Sequence, residues 1–109
     1  MTDPMSGAEI AATRHLLGLT RREFGAACGV SEQAVKNWEN GSSEPYESRI
    51  VAVQALRSEH DAETARLAAG AADGVIISLP AGPRPRGWYL ALGARVIDRV
   101  PDAMLAWIE

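Results

Sequence analysis

With 109 residues, 47% of them apolar, the chain has the means for one compact domain or for a small domain with an appendage. No apolar run is long enough to span a bilayer, and a single cysteine, Cys28, excludes an internal disulfide. A formal charge of -3 argues against a nonspecific grip on a polyanion, because Lys and Arg neutralising phosphates supply most of that affinity.

The opening MTDPMSGAE carries an acid where a secretory signal is basic and then apolar, which predicts a cytoplasmic protein. Ser6, with Glu9 three residues on, has the spacing of a capping box. It opens a first helix whose Ile10, Thr13, Leu16 and Leu17 recur at helical period until Gly18. Thr20 and Glu23 repeat the box for a second helix that runs through Phe24 and Cys28 to Gly29, where glycine supplies the left-handed exit of a tight turn. Cys28 falls on the apolar face of that helix, as a buried filler rather than a nucleophile. Ser31 then caps a third helix. Val35 and Trp38 lie three apart on its apolar back, Glu32, Gln33, Lys36 and Asn37 form a polar front, and Asn40-Gly41 closes it.

From Pro45 to about Ala69 the chain is rich in Ala, Leu, Arg and Glu without a breaker, which predicts one long helix or two in succession. Ile50, Val53 and Leu56 form a stripe that closes the core of the first three helices. Beyond Arg57 the stripe thins to His60, Thr64 and Leu67, so the second part is either less buried or covered by a partner. Character changes at Gly70, which divides the chain into 1–69 and 70–109. The β-branched run from Val75 to Leu79, between Asp73-Gly74 and Pro80, predicts one short strand, and a lone strand needs a neighbour for its backbone groups. After a stiff loop from Pro80 to Gly87, helical spacing resumes through Trp88, Leu92, Val96 and Val100. Pro101-Asp102 breaks it before a short amphipathic end, AMLAWIE. The expected fold class is mainly α: four to five N-terminal helices, then a small α+β segment with one strand.

Arg14, Leu17-Gly18-Leu19-Thr20, Glu23-Phe24, Gly29-Val30-Ser31, Val35 and Trp38-Glu39-Asn40-Gly41, followed by Pro45, stand in a distinctive order and spacing. On these residues, positions 9 to 45 resemble the helix-turn-helix of the XRE family, the group of the lambdoid phage repressors and Cro. The resemblance implies a lambda-repressor-like N-terminal domain, double-stranded DNA as partner, and helix 3 (31–40) in the major groove. It implies base contacts from Glu32, Gln33, Lys36 and Asn37. Gln33 or Asn37 can bond an adenine through two atoms, Lys36 can donate to guanine or phosphate, and Glu32 can accept from a cytosine amino group. It further implies backbone contacts from Thr20 and Arg21 at the start of helix 2 and from Ser42 and Ser43 in the following loop, with Arg22 and Arg49 as additional candidates. Arg14 and Glu39 are implied to form a structural ion pair. Without the resemblance, the same polar front reads equally as a solvated helix face. Packing adds that Gly25 and Ala26 are small where helices 2 and 3 approach, and that Phe24 and Val35 fill the wedge between them.

The motif is under-charged for its implied task. Residues 1–57 hold six basic side chains (Arg14, Arg21, Arg22, Lys36, Arg49, Arg57) against seven acids (Asp3, Glu9, Glu23, Glu32, Glu39, Glu44, Glu47). One copy should bind weakly, and two copies on adjacent half-sites would multiply the affinity. The tail is the expected source of that doubling, through its strand and through Val75, Ile77, Trp88, Leu92, Val96, Met104, Trp107 and Ile108. The alternative is that these residues pack on the chain's own long helix. Arg84 and Arg86 read either as a basic arm for a minor groove or as a solvated loop. His15 and His60 have no partners at ligand spacing, so neither a metal nor a cofactor is expected, and no nucleophile stands beside a base. In arrangement, the layout also resembles small regulators whose XRE motif precedes a dimerising tail, among them regulators of anti-CRISPR operons. The expected function is a sequence-specific, homodimeric transcription regulator, most simply a repressor on a palindromic operator, and not an enzyme. The alternative is an antitoxin-like or adaptor protein whose tail binds a second protein.

Overall fold

A computed structural model of the chain describes residues 3–80 and 82–108. Among them are five helices and two strands in the order α1 (Gly7–Leu17), α2 (Arg21–Cys28), α3 (Glu32–Glu39), α4 (Glu47–Ala72), β1 (Ile77–Leu79), α5 (Arg86–Arg99) and β2 (Leu105–Trp107). They build two compact units, Met1–Arg57 and Ser58–Glu109. The boundary expected between residues 69 and 70 lies inside α4, which is a single helix and not two. Gly70 does not stop it, because one interior glycine costs only about 1 kcal/mol. The stop is Gly74, at φ 83°, with its N–H on the Ala71 carbonyl and the Val75 N–H on the Gly70 carbonyl. At 26 residues α4 is long, yet no helix among the described residues is long and apolar enough to cross a membrane.

In the first unit, local chemistry sets each helix before packing joins them. Ser6 with Glu9 and Thr20 with Glu23 form complete capping boxes, and Gly18 and Gly29 leave α1 and α2 in the left-handed conformation. Ile10, Leu17, Phe24 and Val35 are wholly buried, and Ile50, Val53 and Leu56 from the start of α4 complete the core. The chain crosses closely over Gly25, where an added Cβ would lie 2.8 Å from the Val30 carbonyl oxygen. Ala26, expected at the same approach, is exposed instead, since it lies one helical step away from the turn.

The second unit departs from the sequence reading in two ways. AMLAWIE holds a second strand, so β1 has its partner within the chain. β1 and β2 pair in parallel with Ile77 opposite Leu105 and Leu79 opposite Trp107, and α5 provides the crossover that parallel strands require. The Ile77 N–H donates to the Met104 carbonyl at 2.8 Å, and the Ile108 N–H to the Leu79 carbonyl at 2.6 Å. The second departure concerns the residues assigned to a dimer interface. Ile77, Trp88, Leu92 and Val96 are buried in this unit's own core and present no surface to a second copy; Val75, Met104, Trp107 and Ile108 remain largely exposed.

His60 and Thr64, where the apolar stripe thins, are fully buried in the same core. The His60 ring meets Trp88 edge to face at 4.6 Å. Its Nδ1 lies 2.8 Å from Arg95 Nη1 and its Nε2 lies 3.3 Å from the Trp88 carbonyl oxygen. Because arginine only donates, Nδ1 must accept, which leaves the proton on Nε2 to face the carbonyl. Thr64 Oγ1 donates back to the His60 carbonyl, and Arg95 reaches on to Asp61 at 2.7 Å. A polar seam thus continues the hydrophobic stripe of α4 with its hydrogen bonds made.

Gly25→Ala should lower the stability of the chain by about 1–3 kcal/mol in thermal or urea denaturation, through forced backbone movement. Ala26→Ser, its exposed neighbour, should change stability by no more than about 0.5 kcal/mol.

Candidate nucleic-acid interface

α2 and α3 are locked at a fixed angle by the turn between them. Val30 N–H closes onto the Gly25 carbonyl at 2.8 Å, and Ser31 Oγ accepts from the Ala34 N–H at 3.1 Å to start α3. Phe24 and Val35 fill the wedge. The α2 C-terminus gains a further partner in Arg49, whose Nη1 donates to the Cys28 carbonyl at 3.0 Å. Burial pushes the Cys28 thiol up to about 11 against the opposing charge of Arg49, so it is an inert packing group.

This scaffold leaves one side of α3 outward. Glu32, Gln33 and Lys36 are exposed, and Asn37 is half-buried beside them. Gln33 Nε2 donates to Asn37 Oδ1 at 3.0 Å across one helical turn. Among the described residues the second amide hydrogen and Oε1 of Gln33 have no hydrogen-bond partner, which leaves one donor and one acceptor on that amide. Glu32, Gln33 and Lys36 line a cleft of about 420 Å3 together with Arg14, Thr20 and Arg21. Candidate base readers and candidate backbone contacts from two separate helices therefore share one surface.

The other backbone candidates do not line it. Arg22 is exposed on α2 outside the cleft. Arg49 has its capping task. Ser42 and Ser43 turn their N–H groups onto the Asn37 carbonyl at 3.0 and 3.3 Å, and Ser42 also bonds Asn40 Oδ1, so their amides close the end of α3.

Behind the cleft stands the ion pair implied for Arg14 and Glu39. Arg14 Nε meets Glu39 Oε2 at 2.6 Å and Nη2 meets Oε1 at 3.2 Å, while Nη1 donates to the Leu19 carbonyl at 3.0 Å. Arg21 Nε joins from α2 at 3.0 Å from Glu39 Oε1. The sequence reading missed this third member. Its signal was faint: a second arginine at the first position of α2, beside the entry that Leu19 and Thr20 define. Burial alone would raise the Glu39 carboxyl, but the hydrogen bonds and charges of Arg14 and Arg21 outweigh it and hold the group below its ordinary value.

Residues 10–53 match the family model described as helix-turn-helix. They form a DNA-binding helix-turn-helix domain of the XRE family. No curated protein matched the chain in a sequence comparison. The matched span runs from the buried Ile10 to Val53, so it takes in the core of the first unit except Leu56. The match supports a DNA-binding regulatory role of the XRE type for this part of the chain.

The two arginines of PRPRG lie outside the matched residues, Arg84 half-buried in the loop and Arg86 exposed at the first position of α5. Arg84 donates to both Glu59 carboxylate oxygens, from Nε at 2.9 Å and from Nη2 at 2.8 Å, and lies 4.9 Å from the Trp88 ring centre. Arg86 stacks 3.8 Å from the ring centre of Trp107.

Because the folded Glu39 carboxyl is held below its unfolded value of about 4.5, its contribution to stability is complete above that pH and is lost as pH falls through the folded value. Urea midpoints taken across the acid range should fall more steeply for the wild type than for Glu39→Gln, with the two curves converging on acidification.

Proposed function

We propose that the protein is a sequence-specific transcription regulator that binds a palindromic operator as a homodimer and acts in the cytoplasm as a repressor by occluding a promoter. The observation that carries this reading is the shared cleft, in which Glu32, Gln33 and Lys36 of α3 meet Arg21 of α2 and its cap Thr20. In the proposed complex α3 enters the major groove, with Gln33, Asn37, Lys36 and Glu32 as base readers. Thr20 and Arg21 hold the phosphate backbone, and Arg22, Ser42, Ser43 and Arg49 are peripheral contacts at most. Occlusion is the simplest mode of action for a domain that covers a promoter.

Charge favours doubling, since a slightly acidic unit gains little from phosphate neutralisation alone. Support for a second copy comes from the apolar surface of the second unit. Leu90, Gly93, Ala94 and Ile97 of α5 and Leu105 and Trp107 of β2 line one shallow groove. Leu90, Ile97 and Trp107 are each 40% or more exposed, as are Val75, Met104 and Ile108. Leu90 and Ile97 flank the small Gly93-Ala94 pair symmetrically along α5. Two copies of this helix packed antiparallel about a two-fold would place Leu90 against the other copy's Ile97 with the exposed Ala94 near the centre, while Gly93 stays turned to Leu79 and Leu105 of its own chain. The interface proposed here is therefore the outer face of α5 and β2, in place of the buried Ile77, Trp88, Leu92 and Val96.

Selection of bound duplexes from a random pool should recover an inverted repeat with half-sites about 10 base pairs apart or a multiple of it. Gln33→Ala should relax preference at one position of each half-site by about 1–3 kcal/mol. Recovery of no preferred sequence at low salt would rule the reading out. Light scattering should give twice the chain mass for the wild type and a monomer for Ile97→Glu, with both folded. A wild-type monomer that instead copurifies in fixed ratio with another protein through Trp107 would replace the homodimer by the adaptor reading.

A further inference from the structure

Glu39 sits at the end of α3 with a side chain only 5% exposed, and it accepts hydrogen bonds from two arginines on two other helices. Those arginines are not equivalent. All three nitrogens of Arg14 are engaged, two on the carboxylate and one on the Leu19 carbonyl. Arg21 is bound through Nε alone, and its two η nitrogens have no hydrogen-bond partner among the described residues. Its side chain is 48% exposed and lines the cleft beside Thr20, Gln33 and Lys36.

A guanidinium is planar and donates along fixed edges. An arginine held by a carboxylate through Nε keeps the edge between its η nitrogens for a second acceptor. The two arginines and one carboxylate also leave one unit of positive charge, carried on the side of the group that faces the cleft. A free arginine surrenders rotamer freedom when it grips a phosphate, whereas one already tethered at Nε surrenders less.

We infer that Glu39 is a positioning residue for DNA binding: anchored by Arg14, it holds Arg21 by Nε so that the η nitrogens are presented to a backbone phosphate. This rests on the proposed reading of Arg21 as a backbone contact. The carboxylate thus serves two purposes, joining the helices and orienting a contact, and the second is separable from the first. Lysine at position 21 keeps the charge but has a single ammonium, which cannot serve the carboxylate and a phosphate along separate edges.

The test titrates a duplex recovered from the random pool with the full chain, by fluorescence anisotropy at several salt concentrations. The variants are Arg21→Ala, Arg21→Lys, Glu39→Gln and the double variant Arg21→Ala/Glu39→Gln, at a temperature where circular dichroism shows each folded. Arg21→Ala should weaken binding roughly tenfold, the worth of a hydrogen bond to a charged group, and lower the salt slope by about 1. Arg21→Lys should restore the salt slope but recover less than half of the lost affinity. Glu39→Gln should weaken binding about three- to tenfold in the wild type and less than about twofold in the Arg21→Ala background.

Equal effects of Glu39→Gln in both backgrounds would mean that it acts through the fold alone and would overturn the inference. So would full recovery by Arg21→Lys, which would show that charge suffices, or an Arg21→Ala variant that binds as the wild type does. If Glu39→Gln does not fold, the Arg21→Lys comparison decides, because that variant leaves Arg14 and Glu39 paired. A pool that yields no bound duplex overturns the proposed function itself, wild-type binding by Arg21→Ala also removes Arg21 from the proposed backbone contacts, and the remaining failures touch only the inference.

Discussion

One carboxylate joins the three helices of the DNA-binding domain. Glu39 ends α3, Arg14 comes from α1 and Arg21 from the first position of α2, and all three meet at a nearly buried point behind the outward face of α3. Apolar packing of Phe24, Val35 and Ile10 supplies the cohesion, but it is non-directional. The angle at which α3 is offered follows from directional groups: the capping boxes, the Gly25 crossing and the hydrogen bonds on Glu39. A buried ion pair is weak evidence of stability, because desolvation offsets much of its attraction. Its value in this domain lies in geometry. It holds the two elements that carry Gln33 and Arg21 in one register, and a partner as regular as a DNA groove requires that register to be held.

Much of the first unit was legible because its signals are local. Ser6 with Glu9 and Thr20 with Glu23 announce helix starts within three residues, and Gly18 and Gly29 announce exits that need a positive φ. The Arg14–Glu39 pair spans the whole motif and was reached only through family resemblance. The bonds from Arg21 to Glu39 and from Arg49 to Cys28 were not reached at all. A charged side chain near a motif looks the same in sequence whether it faces solvent, phosphate or a helix end, and only the fold tells these apart.

The second unit was read less well, for a reason of scale. β1 and β2 are three residues each, too short for an alternating pattern to stand out, and Ala106 is a poor strand former. Missing β2 left β1 apparently unpaired and made a second copy its natural partner. The same miss exposed Trp88, Leu92 and Val96 to being read as interface. In fact the crossover through α5 turns these residues inward, and the polar seam of His60, Thr64 and Arg95 continues the core where the apolar stripe of α4 fades. What remains outward is Leu90 with Ile97, which the sequence reading did not include, together with Trp107, which it did, and this is the face we assign to doubling the domain.

The claim on which the account turns is that DNA is met by the cleft between α2 and α3. Amide NMR spectra of the full chain, titrated with a selected duplex, test it directly. The largest shift changes should fall on Thr20, Arg21 and the stretch from Glu32 to Asn37, with α5 and β2 unmoved once the dimer is formed. Changes centred on the loop from Pro83 to Arg86 or on β2, with α3 silent, would contradict it.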